Sequence, residues 1–182
     1  MAVLHTTKVK STNTGGRLFS VLHTEALRNG EFGFLGGYVE GETEIREFVK
    51  PTTALIGKEM PVVIMKPEIR YPQYTKADNA LGLFVNPANK ATVAVPLEAN
   101  DEFEISADLI TALGAKPVVG NHVVLENGKT LLKEQAEAPS TGAKFYGVIT
   151  EVRPSATQPF VDGTGNYVSN VYDLVHILVK EL

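Results

Sequence analysis

The sequence contains no cysteine, which excludes disulfides, thiolate nucleophiles and every cysteine-ligated metal site. It has no run of Lys or Arg to relieve a formal charge of −4, from 17 basic and 21 acidic residues. Nucleic-acid grooves gain affinity when clustered cations neutralise phosphates and release their counterions to solution, so no nucleic-acid partner is expected. No apolar run approaches the ~20 residues needed to span a bilayer. The start, Met1-Ala2-Val3-Leu4-His5-Thr6-Thr7-Lys8, lacks the basic-then-apolar pattern of a signal peptide. These features predict a soluble chain made in the cytoplasm, with no membrane partner. Alternating strand and long-helix patterns are also missing, which argues against a doubly wound α/β fold.

What is present suits a compact β-rich protein. Apolar residues make up 43% and charged residues 21% of 182, enough to avoid wholesale disorder. A chain of this size hides about 70% of its unfolded surface and can build a core without staples. With 16 Gly and 10 Pro, turns and short strands are favoured over long helices. Strands are predicted over 17–23, 31–39, 45–49, 60–66, 91–97, 102–105, 144–152 and 167–182, the last apolar on both faces as a central strand would be. Asn127-Gly128, between two apolar runs, predicts a hairpin. Ser106 is placed as the cap of a short helix around 107–113, with Leu109, Ile110 and Leu113 as its apolar stripe and Gly114 closing it. The expected class is therefore mainly β (a β-rich α+β fold) with antiparallel sheets or small barrels. Two organisations fit: a lobe over 1–105 and another over 106–182, or one continuous domain. Residues 67–90 lack regularity and read either as an extended arm or as an ordinary long connection.

Chemistry-bearing residues form no recognisable constellation. His5, His23, His122 and His176 show no metal-ligand spacing. His176 reads as a hydrogen-bonded core or interface histidine. His23 and His122 are the pair that an enzyme assembled from distant residues would use. Gly30, Gly33, Gly36, Gly37 and Gly41 match neither phosphate-loop pattern and read as turns and bulges. The stretch 162–166 has too few oxygens for a calcium loop and reads as a hairpin tip. Glu40, Glu42, Glu44 and Glu47 read as a solvated face, since nothing around them signals the desolvation that separates catalytic pKa values. No Gly-x-Ser-x-Gly elbow occurs. No catalytic residue, cofactor or metal is therefore expected.

Several segments together resemble a known group. They are Lys8-Val9-Lys10-Ser11-Thr12, Leu27-Arg28-Asn29-Gly30, Leu35-Gly36-Gly37-Tyr38-Val39-Glu40-Gly41 and Ile45-Arg46-Glu47-Phe48. Pro61-Val62-Val63-Ile64-Met65-Lys66-Pro67-Glu68-Ile69-Arg70-Tyr71, Glu102-Phe103-Glu104-Ile105-Ser106 and Pro117-Val118-Val119-Gly120-Asn121 continue the pattern. In these the chain is similar to the head-decoration, or auxiliary cement, proteins of tailed bacteriophages; it departs most over 72–90. The resemblance implies a non-enzymatic structural protein that binds the shell of the major capsid protein on the virion surface. It also implies an assembly of identical subunits, such as a trimer. Interfaces of that kind favour aromatic and apolar anchors. Tyr71, Tyr74, Leu83, Phe84 and Phe160 are the candidates, set against the alternative that they cover the chain's own sheet. A virion-associated carbohydrate- or receptor-binding module, stacking sugars on Tyr71 and Tyr74, is the alternative function.

Overall fold

The computed structural model describes residues 2–13, 17–67, 83–140, 143–156, 160–161, 165–168 and 171–181. Strands dominate, as the composition implies. They are β1 (Leu4–Lys8), β2 (Phe19–Leu22), β3 (Phe32–Tyr38), β4 (Ile45–Val49), β5 (Val62–Ile64), β6 (Thr92–Pro96), β7 (Glu102–Ser106), β8 (Ile110–Thr111), β9 (His122–Leu125), β10 (Leu132–Gln135), β11 (Phe145–Ala156), β12 (Phe160–Val161), β13 (Tyr167–Val168) and β14 (Val171–Glu181). Among the described residues, α-helix is confined to single turns at α1 (Lys10–Asn13) and α2 (Thr53–Ile56). No helix among them is long and apolar enough to cross a membrane.

Two sheet systems share the chain. Strands β2-β4-β3-β5-β6 close into a five-stranded barrel, with β2 and β4 parallel and the remaining pairs antiparallel. Seven of the other nine form an open sheet in the order β1-β7-β14-β11-β9-β10-β8, and β12 and β13 make a two-stranded ribbon. Its middle is the long antiparallel pair β11 and β14. Flanked by β7 and β11, β14 is a central strand, and Val175, Ile177 and Val179 on its inner face are buried. The sheet crosses the 105/106 boundary, because β1 and β7 join it from the N-terminal side. One core cluster spans both systems, running from Phe32, Phe34, Val63 and Val95 of the barrel to Phe103, Val123, Phe145 and Ile177 of the sheet. Phe32 sits at the junction, its ring 5.8 Å from that of Phe103 and 6.4 Å from that of Phe145.

Three local features depart from the sequence pattern for identifiable reasons. The helix placed around 107–113 is a single 3-10 turn over Ala107–Leu109. It stops there because Ile110 and Thr111 pair in parallel with Leu132 and Lys133 as β8. Ser106 makes no side-chain cap; its Oγ accepts from the Val3 amide at 3.0 Å. The hairpin at Asn127-Gly128 forms, with Gly128 at φ +74°, but β10 starts only at Leu132. The Thr130 carbonyl is used elsewhere, accepting from Phe32 N at 2.8 Å, while Gly128 N donates to Pro51 O at 2.7 Å. The loop thus ties the sheet to the barrel. Finally, Tyr167–Val168 does not pair in the sheet of β14: as β13 it pairs antiparallel with β12 in a ribbon of their own.

The glycines behave as strand punctuation. At Gly33 an added Cβ would lie 2.4 Å from Phe48 Cζ, and at Gly36 a bulge breaks the β3–β4 register between Leu35 and Tyr38. Gly30 is the most constrained. It turns the chain into β3 at φ +84°, and a Cβ there would lie 2.5 Å from Leu109 Cδ1. Gly30→Ala is expected to cost about 2 kcal/mol or more, from the left-handed backbone and core overpacking together. Urea unfolding measures it, and a loss under about 0.5 kcal/mol, the surface-substitution range, would show that the turn relaxes freely.

Candidate interaction surfaces

The loop from Ala112 to Asn121 is built outward from one carboxylate. In β10, Leu132 and Glu134 point the same way, into the protein, and Glu134 is 0% exposed. A buried carboxylate must find donors or a cation. Glu134 Oε2 accepts from Leu113 N at 2.8 Å, and Oε1 accepts from Val118 N at 2.8 Å and from Asn121 Nδ2 at 2.7 Å. Burial pushes its carboxyl up, but these three N–H donors outweigh it and hold the group below the usual carboxylate range. Further ties complete the frame. Gly120 N donates to Ile149 O, Ile149 N donates to Asn121 O, and Lys116 Nζ pairs with Asp173 at 2.7 Å.

Held this way, the loop faces outward with apolar residues. Leu113 is 60% exposed, and Val118 and Val119 are each 55% exposed. Leu113 is therefore not the core residue a helical stripe would make it; the strand at Ile110–Thr111 carries it past the sheet. A loop anchored at its two ends and centre loses little conformational entropy when its side chains are covered, which favours binding.

A second polar frame fixes where the irregular segment leaves and returns. Asn29 Nδ2 donates to Lys66 O and Asn29 Oδ1 accepts from Lys66 N, while Asn86 Nδ2 donates to the same Oδ1 at 3.1 Å. Thr92 Oγ1 donates to Asn86 Oδ1, and Leu27 and Asn86 exchange both backbone hydrogen bonds. Residues 66 and 86 thus meet on one buried asparagine. Of the anchors expected near this segment, Tyr71 and Tyr74 lie outside the described residues. Leu83 is 44% exposed, whereas Phe84 is buried and serves the chain's own packing. Phe160 pairs with Val168 in the β12–β13 ribbon, and its side chain is outside what is described.

Each histidine has partners of its own, although His5 and His176 flank Glu104 in the sheet register. His23 packs edge-on against Phe48 in the barrel, at 5.6 Å between rings, and His122 packs against Tyr146 in the sheet at 5.8 Å. His176 is hydrogen-bonded to Thr150, with Nε2 3.4 Å from Glu102. His5 Nδ1 lies 3.1 Å from Glu104, which also receives a bidentate bond from Arg153. Despite partial burial, Arg153 and His5 hold the Glu104 carboxyl below its ordinary range. Among the described residues, no three His, Asp or Glu side chains gather in a metal-holding group. A depression lined by His23, Glu25, Leu27, Asn86, Pro87, Lys90 and Thr92 is open to solvent and encloses essentially no volume. Small-molecule sites run to roughly 300–1,000 Å³, so it is a surface dimple.

Comparison with known proteins finds no matching family model, curated protein or solved structure. What the chain can do is therefore argued from its own geometry: it offers fixed apolar surface on a stiff β frame. Sequence reasoning overlooked this loop, although a signal was there. In Leu132-Lys133-Glu134-Gln135, strand alternation puts Glu134 on the inner face with Leu132, and an inward carboxylate marks a loop it must organise.

Proposed function

We propose that this protein is a structural subunit that decorates and stabilises a bacteriophage capsid by binding the shell of the major capsid protein, as an assembly of identical subunits and without catalysis. The observation that carries the reading is the loop 112–121, where Leu113, Val118 and Val119 stay exposed while Glu134 and β11 hold the backbone. Cementing a shell requires added interface area on a scaffold that does not deform, and exposed apolar side chains on a fixed backbone supply both. The segment resemblance to head-decoration proteins supports the same reading, and it includes Pro117-Val118-Val119-Gly120-Asn121, the outer half of this loop. Other sites on the chain could add contacts, and Leu83 is one.

The test mixes the purified protein with shells that lack it. The protein is expected to co-sediment and to raise the temperature at which the shells fall apart. Changing Val118→Ser and Val119→Ser together is expected to weaken binding at least tenfold, as loss of a central anchor does. No co-sedimentation and no change in heat resistance would overturn the proposal.

A further inference from the structure

We infer that one end of the barrel is a docking site for a basic, Lys- or Arg-bearing segment of another protein. The face is built around Arg46, at the start of β4. Its Nε and Nη2 donate to Gly36 O at 2.9 and 2.6 Å. That carbonyl belongs to the bulge at Leu35–Tyr38, where the β3–β4 register shifts. The guanidinium carbon lies 5.7 Å from the Tyr38 ring centre and 6.0 Å from that of Phe19. The bulge, the hydrogen bonds and the two rings therefore fix one another. With Arg46 against it, Tyr38 is still 64% exposed, and Leu18, just before β2, is 53% exposed. An exposed Tyr stacked on an Arg that is itself tied to the bulge is the composition of binding hot spots.

Charge selects the occupant. The β3–β4 connection turns tightly at this end, with Val39 N donating to Ile45 O and Glu42 N to Val39 O. It carries Glu40, Glu42 and Glu44, all exposed. Most acids elsewhere are matched, as in Glu25 with Lys50, Glu98 with Lys10, Glu102 with Lys8 and Glu181 with Lys144. The side chains of Glu40, Glu42 and Glu44 take part in no ion pair or hydrogen bond among the described residues. Three unpaired carboxylates thus follow within six residues of Tyr38, the most exposed aromatic ring among the described residues. Such a face repels acidic surfaces and attracts cations, which can also stack on the open side of Tyr38. The choice of a protein occupant rests on the shell-binding reading; the face and its sign do not.

The full-length protein is titrated against a fluorescein-labelled 12-residue peptide of alternating Arg and Leu, and against its Glu-Leu counterpart. Preference for the Arg peptide by tenfold or more is expected, weakening as salt rises. Tyr38→Ala is expected to weaken it at least tenfold, and Glu40→Lys, Glu42→Lys and Glu44→Lys together are expected to abolish the preference. Circular dichroism confirms that each variant is folded. Equal binding of both peptides overturns the inference. So does binding that needs the glutamates but ignores Tyr38, which is a diffuse charge effect. A size measurement in which Tyr38→Ala dissolves an oligomer would assign the face to a second copy of this chain, and overturns it too. The titration contains no shell, so its failure and that of shell binding are read separately.

Discussion

Truncating Phe32 to alanine is expected to cost about 3–5 kcal/mol of folding stability, the range for removing a fully buried aromatic side chain. The upper part of that range applies because Phe32 is 0% exposed and reaches Phe103 and Phe145 in the sheet from its place in the barrel. The cavity would open between two sheet systems, neither of which can collapse into it without breaking its own ladder. Phe32→Leu keeps most of the volume and is expected to cost less than half as much. Urea unfolding followed by two probes, one reporting on each system, measures both variants. Wild type should unfold in one transition on both probes, because the core is shared. If Phe32→Ala lowers stability by less than about 1 kcal/mol, the barrel and the sheet do not share the core described above.

The second large effect falls on Glu134. Glu134→Ala removes the acceptor for Leu113 N, Val118 N and Asn121 Nδ2 at one stroke. Bonds to a charged group are worth about 1.5–3 kcal/mol each, but the loop can open to water, so a net loss of about 3 kcal/mol is expected. Glu134→Gln keeps the shape yet turns an NH₂ toward a donor, and should lose a good part of that. Acid makes the same point without mutation. The carboxyl is held below its usual value in the folded protein, so its stabilisation is complete above the unfolded pKa and disappears as pH falls through the lower folded one. Protection of the Leu113 and Val118 amides, as exchange relative to the intrinsic rate at each pH, should therefore stay high at pH 7 and fall only below about pH 4, the ordinary carboxylate range. In Glu134→Gln that protection should be low at both. Unchanged protection in that variant would mean that β11 alone holds the loop.

How much of this was legible follows from how local each signal is. Ile45–Val49 is read correctly from its own five residues, because its turn and Pro51 bound it. The central β14 is legible as a strand from its apolar residues, but burial on both faces is not what forms: Val175, Ile177 and Val179 are buried, while Tyr172, His176 and Leu178 on the other face are half-buried. By contrast, β1 reads Leu-His-Thr-Thr-Lys and carries almost no apolar pattern. Its place beside β7 depends on His5–Glu104 and Lys8–Glu102, partners about a hundred residues away. The stripe of Leu109, Ile110 and Leu113 fits a helix or a turn leading into a strand equally well. Pairing with Leu132 decides between them, and no local window contains it. The candidate anchors fared unevenly for a related reason. Irregular sequence singled out Leu83 and Phe84 together, yet one faces solvent and the other the interior. In the loop at 112–121, Pro117-Val118-Val119-Gly120 reads as the start of a strand, and nothing local shows that Glu134 turns it outward as a loop.

The most direct measurement of the central claim is a titration of the protein onto undecorated shells, followed to saturation. Binding is expected to stop at a fixed number of copies per capsomer, with shell heat resistance rising in step and levelling at the same point. Binding that never saturates, or that saturates without changing the shell's resistance to heat, would contradict a stabilising role built from rigid apolar surface.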